Sequence, residues 1–505
     1  MERAEDQAGW GRPSAAVFIA RDESAMVDVQ QPAYGDLPPT AEDDVPVNPY
    51  SLLEAVNEAS AAARNGWALF LGIMTYVLIA TAGVTHKDLL LNSRVELPIL
   101  QVEIELTRFF IFAPLVMMFI HYGILIQHVM LARKVITFDE AVKSLETGKK
   151  RNHPLRLELH SYFFTVALAG PDRSRIFGGF LHTMIWMSFV TLPVLLILYI
   201  QATFVPYHDV FTTWVHRFTL LADVFVLAAI GVFLRRTDTS FLPALFGVAR
   251  RSPTNFIITG LLVTLALFFS FFIATVPGER LDRISREIPA LAQARSEDQP
   301  TAGFAEFLLS SSPLTQAIGI ERLFHRNLEV MDQDLVSDRL DETTNSEASL
   351  ILRGRDLRYA RLDRTDLHRA DLTGADLTGA SLIGADLRDV KASCSDLTAV
   401  LTLGQSRAAS CTRLDGVKLA RADVTGASFQ AAFLSNASFE EATLDRANFS
   451  YADLTGVDFS AARMRRVALT GGADILGANF LGASLQGADF TGAKLQLADF
   501  SGAAL

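Results

Sequence analysis

The chain has 505 residues, half of them hydrophobic, with 35 phenylalanines, two cysteines and a formal charge of −11. That length allows two to four domains, and two cysteines exclude a small scaffold built from disulfides. The charge runs −9 over residues 1–60, +6 over 61–276, −7 over 277–349 and −1 over 350–505. The positive share falls among the apolar spans, where cytoplasmic loops require it.

Residues 1–60 are acidic, carry six prolines and show no sustained apolar period. They are predicted to be a disordered tail, because such a composition cannot bury enough surface to fold alone. Nothing ahead of Trp67 has the basic leader of a secretory signal. Residues 61–276 read as a multi-pass region with five apolar spans, at about 67–84, 108–131, 178–204, 213–234 and 255–276. Each is near the roughly 20 residues that cross a hydrocarbon core. The fourth is the weakest, since it contains Arg217 and Asp223. Lys and Arg number nine in Arg133–Gly179 and four in Arg235–Thr254, against three between residues 84 and 108 and none in Val205–Thr212. This predicts a cytoplasmic N-terminus and, after five crossings, a periplasmic C-terminal region. Arg280, Arg283 and Arg286, directly after the last span, pull the other way. Residues 277–349 form an acidic linker. Within it PLTQAIGIERLF (Pro313–Phe324) sets Leu314, Ile318 and Phe324 roughly on one helical face, predicting a cap for the domain that follows or a helix on the membrane surface.

From Leu357 to Leu505 a large apolar residue returns almost every fifth position, with a small residue two places before it. In LTGADLTGASLIGADL the large residues are Leu372, Leu377, Leu382 and Leu387. A period of five fits neither a helix nor a plain strand and marks a repeat architecture. Residues two apart in an extended chain point the same way. Each Ala-x-Leu triplet therefore sends two side chains inward, and the remaining pair, often Thr-Gly, turns a corner. Phe429, Phe439, Phe449 and Phe459 alternate with leucines, as do Phe480, Phe490 and Phe500. If like stacks on like, an even number of units makes one turn, and four is the smallest that encloses a core. Blocks centred on 357–397, 414–469 and 475–505 give 28 units, with Ala392 a weak centre. The step of twelve from Thr402 to Leu414 predicts a two-residue bulge or small loop, and the step of six from Leu469 to Ile475 an extra residue near Gly471–Gly472. Cys394 and Cys411 are 17 apart rather than 20, which predicts different faces and free thiols. Leu505 is itself a centre, and an open edge there predicts end-to-end homodimers through the C-terminal coil.

RADLTGADLTGASLIGADL and LGANFLGASLQGADFTGAKLQLADF are similar to the pentapeptide-repeat family, with its A(D/N)LxG pattern. The resemblance covers residues 350–505 and implies a right-handed quadrilateral β-helix with four repeats per coil. DLLLNSRVELPILQVEIELTRFFIFAPL (Asp88–Leu115) and RGRDLRYA (Arg353–Ala360) resemble membrane-anchored bacterial members with a multi-pass region ahead of the repeats. The family implies no reaction. Its best-understood soluble members mimic DNA and bind a type II topoisomerase, but mimicry needs a strongly negative rod. Residues 350–505 carry 18 acidic and 17 basic residues, with six arginines between Arg353 and Arg369, so a nucleic-acid role is not expected.

No catalytic residue, metal site or cofactor is predicted, because no ligand cluster, phosphate loop or nucleophile–base motif is visible. The unusual chemistry lies inside the spans, where ionisable groups are costly. His121 and Asp223 fall at similar depth, His128 is seven residues beyond His121, and His182 opens the third span. The favoured interpretation is a packing hydrogen bond between His121 and Asp223. A proton relay or a haem or metal site is the alternative. Pro114 and Pro193 are expected to kink their spans. The sequence thus predicts a helical transmembrane bundle followed by an all-β solenoid in the bacterial inner membrane, acting through lipid and a protein partner as a scaffold. A transporter-like component regulated by the rod is the runner-up, and a cytoplasmic topoisomerase binder the third.

Overall fold

The computed structural model describes residues 48–97, 102–146, 151–233, 253–282, 325–336, 348–396, 398 and 410–505. Most of the expected acidic tail, and the expected capping helix Pro313–Phe324, lie outside them. Helix α1 (Pro49–Ala82) begins well before the apolar run at Trp67. Leu53, Val56 and Ala63 share an apolar cluster with Leu131, Val135, Phe138 and Val142 of α3 (Leu106–Leu145). Residues 49–60, expected in the tail, are therefore helical, because tertiary packing of an apolar stripe outweighs acidic composition.

Between α1 and α3 lie a short helix, α2 (His86–Leu91), and an antiparallel hairpin of β1 (Arg94–Leu97) and β2 (Val102–Glu105). Helix α2 starts on a capping box: Asp88 N–H donates to Thr85 Oγ1 at 3.2 Å and Thr85 N–H to Asp88 Oδ2 at 3.0 Å, satisfying donors that a helix start leaves open. After α3 the chain packs a loop and α4 (Phe163–Ala169) on its end. The fully buried Arg156 holds this loop with ion pairs to Asp139 at 2.6 Å and Glu146 at 2.8 Å. Helices α5 (Arg175–Trp186) and α6 (Leu192–Phe204) run on through a π turn, Met187–Thr191. Then come α7 (Val210–Phe233), α8 (Pro253–Phe268) and a second π turn, Phe269–Ile273.

Four helical stretches, Pro49–Ala82, Leu106–Leu145, Arg175–Tyr207 and Val210–Ile230, are long and apolar enough to cross a membrane. The fifth expected span falls on the shorter apolar helix Ile257–Ile273. Side-chain contacts set the directions. Gly66 of α1 faces Ile124 and Gln127 of α3, and Phe70 stacks on His121, so α1 and α3 are antiparallel. Phe110 of α3 meets Phe204 of α6 while His121 meets Phe189, so α6 is antiparallel to α3. Phe110 with His216 and His121 with Asp223 make α7 parallel to α3. Trp214 near the start of α7 lies by Phe271 after α8, so α8 is antiparallel to α7. The ends of α1, α6 and α8 and the starts of α3 and α7 thus share one end of the helical region, here the far end.

From Ile351 onward the chain coils with a 20-residue pitch, each turn hydrogen-bonding in parallel to the next: Ile351 pairs with Asp371, Asp356 with Asp376, Arg361 with Ser381 and Asp366 with Asp386. Four sides per coil agree with the even number expected from the Phe–Leu alternation. Phe439, Phe459, Phe480 and Phe500 stack in one column, with successive centroids 5.3, 5.1 and 4.7 Å apart. Phe429 and Phe449 stack at 5.0 Å in a second column and meet the first edge-on. Leu372, Leu377, Leu382 and Leu387 are buried, and cover falls off in the last coils at Phe490, Leu495, Phe500 and Leu505. The extra residue near Gly471–Gly472 appears as a register of 21, with Asp453 pairing with Asp474. Gly471 has φ +67°, and a Cβ there would lie 2.5 Å from the Tyr451 ring, so any side chain would have to displace that ring.

Two expectations fail. Asp376 pairs with Arg413 and Ser381 with Lys418, offsets of 37 rather than 20, so the irregularity is a 17-residue excursion and not a two-residue bulge. Leu397 and Thr402, expected as continuing centres, lie outside the described residues. Cys394 and Cys411 are not free thiols on different faces: they pair antiparallel at the neck of the excursion and form a disulfide. Their sequence separation of 17 equals the excess of the excursion, which brings them together. Before the rod, Glu329 pairs with Arg361 and Asp334 with Asp366, and Leu328, Val330 and Leu335 are buried against the first coil.

Candidate functional site

Two polar constellations stand out, one within the helices and one where the rod meets them. The first begins with proline. Pro193 has no N–H for the Phe189 carbonyl four residues back, and Pro114 none for that of Phe110. Histidines donate instead: His121 Nε2 to Phe189 O at 3.1 Å and His216 Nε2 to Phe110 O at 2.7 Å. A carbonyl only accepts, so both rings carry hydrogen on Nε2. His121 Nδ1 lies 2.7 Å from Asp223 Oδ1. That contact holds one proton, and the pair is neutral overall whichever partner carries it. His121 and Asp223 are 1% and 0% exposed, and Asp223 Oδ2 has no hydrogen-bond partner among the described residues.

The expected pair is thus brought together at hydrogen-bond distance. His128 is not part of it: its Nε2 meets Tyr162 Oη at 2.8 Å and its Nδ1 the Ile124 carbonyl. His182 is exposed and takes no part. His216 was not legible as a partner, although proline four residues after Phe110 marks the carbonyl it serves. Arg217, which weakened the fourth span, donates to the Ser270 and Ala274 carbonyls and pairs with Glu279 at 2.5 Å. A cation among carbonyls at the end of α8 is favourable.

The second constellation joins the rod to the far end. His208, in the left-handed region at φ 63° and buried, donates from Nε2 to the Arg326 carbonyl at 3.0 Å, while its Nδ1 lies 3.4 Å from Asp356 Oδ1. Arg326 donates to Thr275 Oγ1 and Asp282, each at 2.8 Å. Arg355 lies over the Tyr207 ring at 3.9 Å and donates to the Leu89 carbonyl at 3.1 Å. Glu329 N–H donates to His86 Nδ1 at 2.9 Å. Burial works to raise the Asp356 carboxyl, but hydrogen bonds from His208 and Arg358 hold it well below the usual carboxylate range.

On the rod surface the outward Asp residues serve their own turns. Asp371, Asp376, Asp423 and Asp453 each accept from the backbone N–H two residues on, the Asx turn that explains why the pattern favours Asp or Asn there. Neighbouring arginines neutralise many of them: Arg353 pairs with Asp371, Arg388 with Asp386, and Arg463 and Arg465 with Asp445. Among the described residues no group of three or more His, Cys, Asp or Glu is placed to hold a metal ion.

Residues 351–397, 410–446, 422–460 and 462–502 match the family of pentapeptide repeats, in eight copies. Among solved structures, the chain is similar to HetL, a pentapeptide repeat protein involved in heterocyst differentiation regulation from the cyanobacterium Nostoc sp. strain PCC 7120. That match has 23% identity over 35% of this chain and 86% of HetL, with a TM-score of 0.13. A pentapeptide repeat protein from the Arabidopsis thaliana thylakoid lumen matches at 34% identity over 18% of this chain and 64% of its own, with a TM-score of 0.11. QnrB1, a plasmid-mediated fluoroquinolone resistance protein, matches at 13% identity over 30% and 90%, with a TM-score of 0.13. No curated protein sequence matches the chain. The C-terminal region carries pentapeptide repeats, behind a helical region with four candidate spans.

Proposed function

We propose, from a pentapeptide-repeat rod seated on a region of apolar helices, that the protein is a membrane-anchored interaction module without catalysis. The helical region crosses the bacterial inner membrane five times, counting α8. The N-terminus and the basic connections face the cytoplasm, and the rod stands on the opposite side. One observation carries this reading. Among the described residues, the groups of the helical region that meet the rod or the segment 325–336 leading into it (His86, Leu89, Tyr207, His208, Thr275 and Asp282) lie at the far end, which α1, α6 and α8 each reach after an odd number of passes. Disulfides persist in oxidising compartments, so the Cys394–Cys411 bond supports the same side.

The partner is a protein that reads the rod's faces, because repeat rods offer extended surfaces rather than pockets. DNA mimicry is not favoured, since so many outward carboxylates are engaged by turn N–H groups or arginines. Photo-crosslinking groups placed on the rod at Ser438 and Asn479 in the full chain test the reading. The expected product is a discrete adduct with a protein of the compartment facing the rod. Labelling by cytoplasmic proteins alone would overturn it. The buried His121–Asp223 pair is the one observation favouring a transport role as second reading, and Asp223→Asn with intact folding but lost ion flux would establish that instead.

A further inference from the structure

A cleft beside the junction is lined by Val210, Trp214, Gly278, Glu279, Arg280 and Leu281. Val210 opens α7 and Trp214 lies one turn on, while residues 278–281 follow the second π turn almost directly. The cleft therefore opens at the far end, at the level where the helices give way to the rod. Its charges are unequal. Glu279 is taken up by Arg217, whose guanidinium lies 5.1 Å from the Trp214 ring centroid. Asp209, at the start of α7, accepts from the backbone N–H groups of Phe211 and Thr212. Arg358 of the rod is paired with Asp356. Arg280 alone among these is exposed and has no ion-pair or hydrogen-bond partner among the described residues.

From Trp214 the cleft's wall continues into an aromatic strip along α7, with the Trp214 and Phe218 ring centroids 5.7 Å apart. Phe211, Trp214 and Phe218 follow one another at helical spacing, with Phe211 and Phe218 67% and 62% exposed. The rod closes over the other side: Gly278 has φ +83°, and a Cβ there would fall 2.3 Å from Arg358 Nη1. A free cation above an aromatic strip with tryptophan at the boundary fits a molecule with an anionic head and a hydrocarbon tail. We infer that this cleft binds an anionic phospholipid, its phosphate on Arg280 and an acyl chain along Phe211, Trp214 and Phe218. The assignment rests on the membrane-crossing reading above. It also accounts for a cation directly after the last helix on the side that charge asymmetry would leave poor in Arg and Lys.

Tryptophan quenching in lipid nanodiscs tests this with the full chain. One variant keeps only Trp214 (Trp10→Phe, Trp67→Phe, Trp186→Phe), and a second keeps only Trp186. Each is read with brominated phosphatidylglycerol or brominated phosphatidylcholine diluted in neutral lipid. Trp214 is expected to detect phosphatidylglycerol enriched about five-fold over phosphatidylcholine, the equivalent of the roughly 1 kcal/mol contributed by one Arg near a membrane surface. Arg280→Gln should abolish the preference, and Trp186 should be quenched equally by both lipids. Equal quenching of Trp214 by the two lipids, or a preference that survives Arg280→Gln, overturns the site. Loss of the preference on adding inorganic phosphate overturns the assignment to lipid. Trp186 unquenched by either lipid would instead overturn the membrane-crossing reading. If Trp67→Phe unfolds the chain, the difference between parent and Arg280→Gln with all tryptophans present gives the same comparison.

Discussion

In the rod, backbone amides bond to carbonyls on neighbouring coils, as Leu357 N–H does to Asp376 O at 2.7 Å. In the helices they bond four residues back, until Pro114 and Pro193 remove a donor and a histidine from another helix supplies one. The rod's order is thus repetitive and collective, while the helical region adds single polar side chains to its apolar packing. The two regions should therefore fail differently. A defect in one coil deprives its neighbours of both hydrogen bonds and core, whereas a defect at one helix crossing stays local.

The largest expected effect is a charge in the rod's core. Phe459, fully buried between Phe439 and Phe480, changed to Asp should unfold neighbouring coils at a cost above about 4 kcal/mol. Limited proteolysis should show the coils cut while the helical region stays intact. The exposed Phe119→Ala should leave stability within about 0.5 kcal/mol. Next, Cys394→Ser should lower thermal stability by about 2–3 kcal/mol at most, the range for closing a loop of this length, and free the excursion for cleavage without melting the rod. Within the helices, His121→Ala should cost about 1–3 kcal/mol, because it leaves the Phe189 carbonyl and Asp223 unpaired. Asp223→Asn, which keeps a hydrogen-bonding group, should cost about 1 kcal/mol or less by thermal unfolding in detergent.

The smallest effect is on pH. Asp356 and Asp445 titrate below the usual range in the folded chain: burial opposes this, but hydrogen bonds from His208 and Arg358, and from Arg465 and Arg463, outweigh it. A depressed folded value means these carboxylates stabilise the protein above about pH 4, and the contribution is lost as pH falls further. Acid unfolding followed by circular dichroism should be shallower in Asp356→Asn and Asp445→Asn. An unchanged slope would contradict the ion pairing.

Much of the rod was legible because its signal is redundant. Each Phe column repeats the same evidence, so the four-sided coil followed from spacing alone. Where the signal occurs once, the sequence misled. Leu397 and Thr402 resemble further centres and hid a 17-residue excursion, and Val330 and Leu335, five apart but isolated, gave no sign of pairing with the first coil. His121 and Asp223 could be matched by depth. The junction of His208, Arg326 and Asp356 could not, since nothing local links residues more than a hundred positions apart. The early start of α1 was hidden because an acidic, proline-bearing composition masked the stripe of Leu53, Val56 and Ala63.

The rod is proposed to stand on the side opposite the N-terminus. Reporter fusions in cells read this directly, one after Leu505 and one after Asn48, each made with a phosphatase active only outside the cytoplasm and a fluorescent protein active only within it. The predicted result is an active phosphatase after Leu505 and fluorescence after Asn48. Fluorescence at both positions would contradict the claim, placing the rod in the cytoplasm and requiring that α8 does not cross.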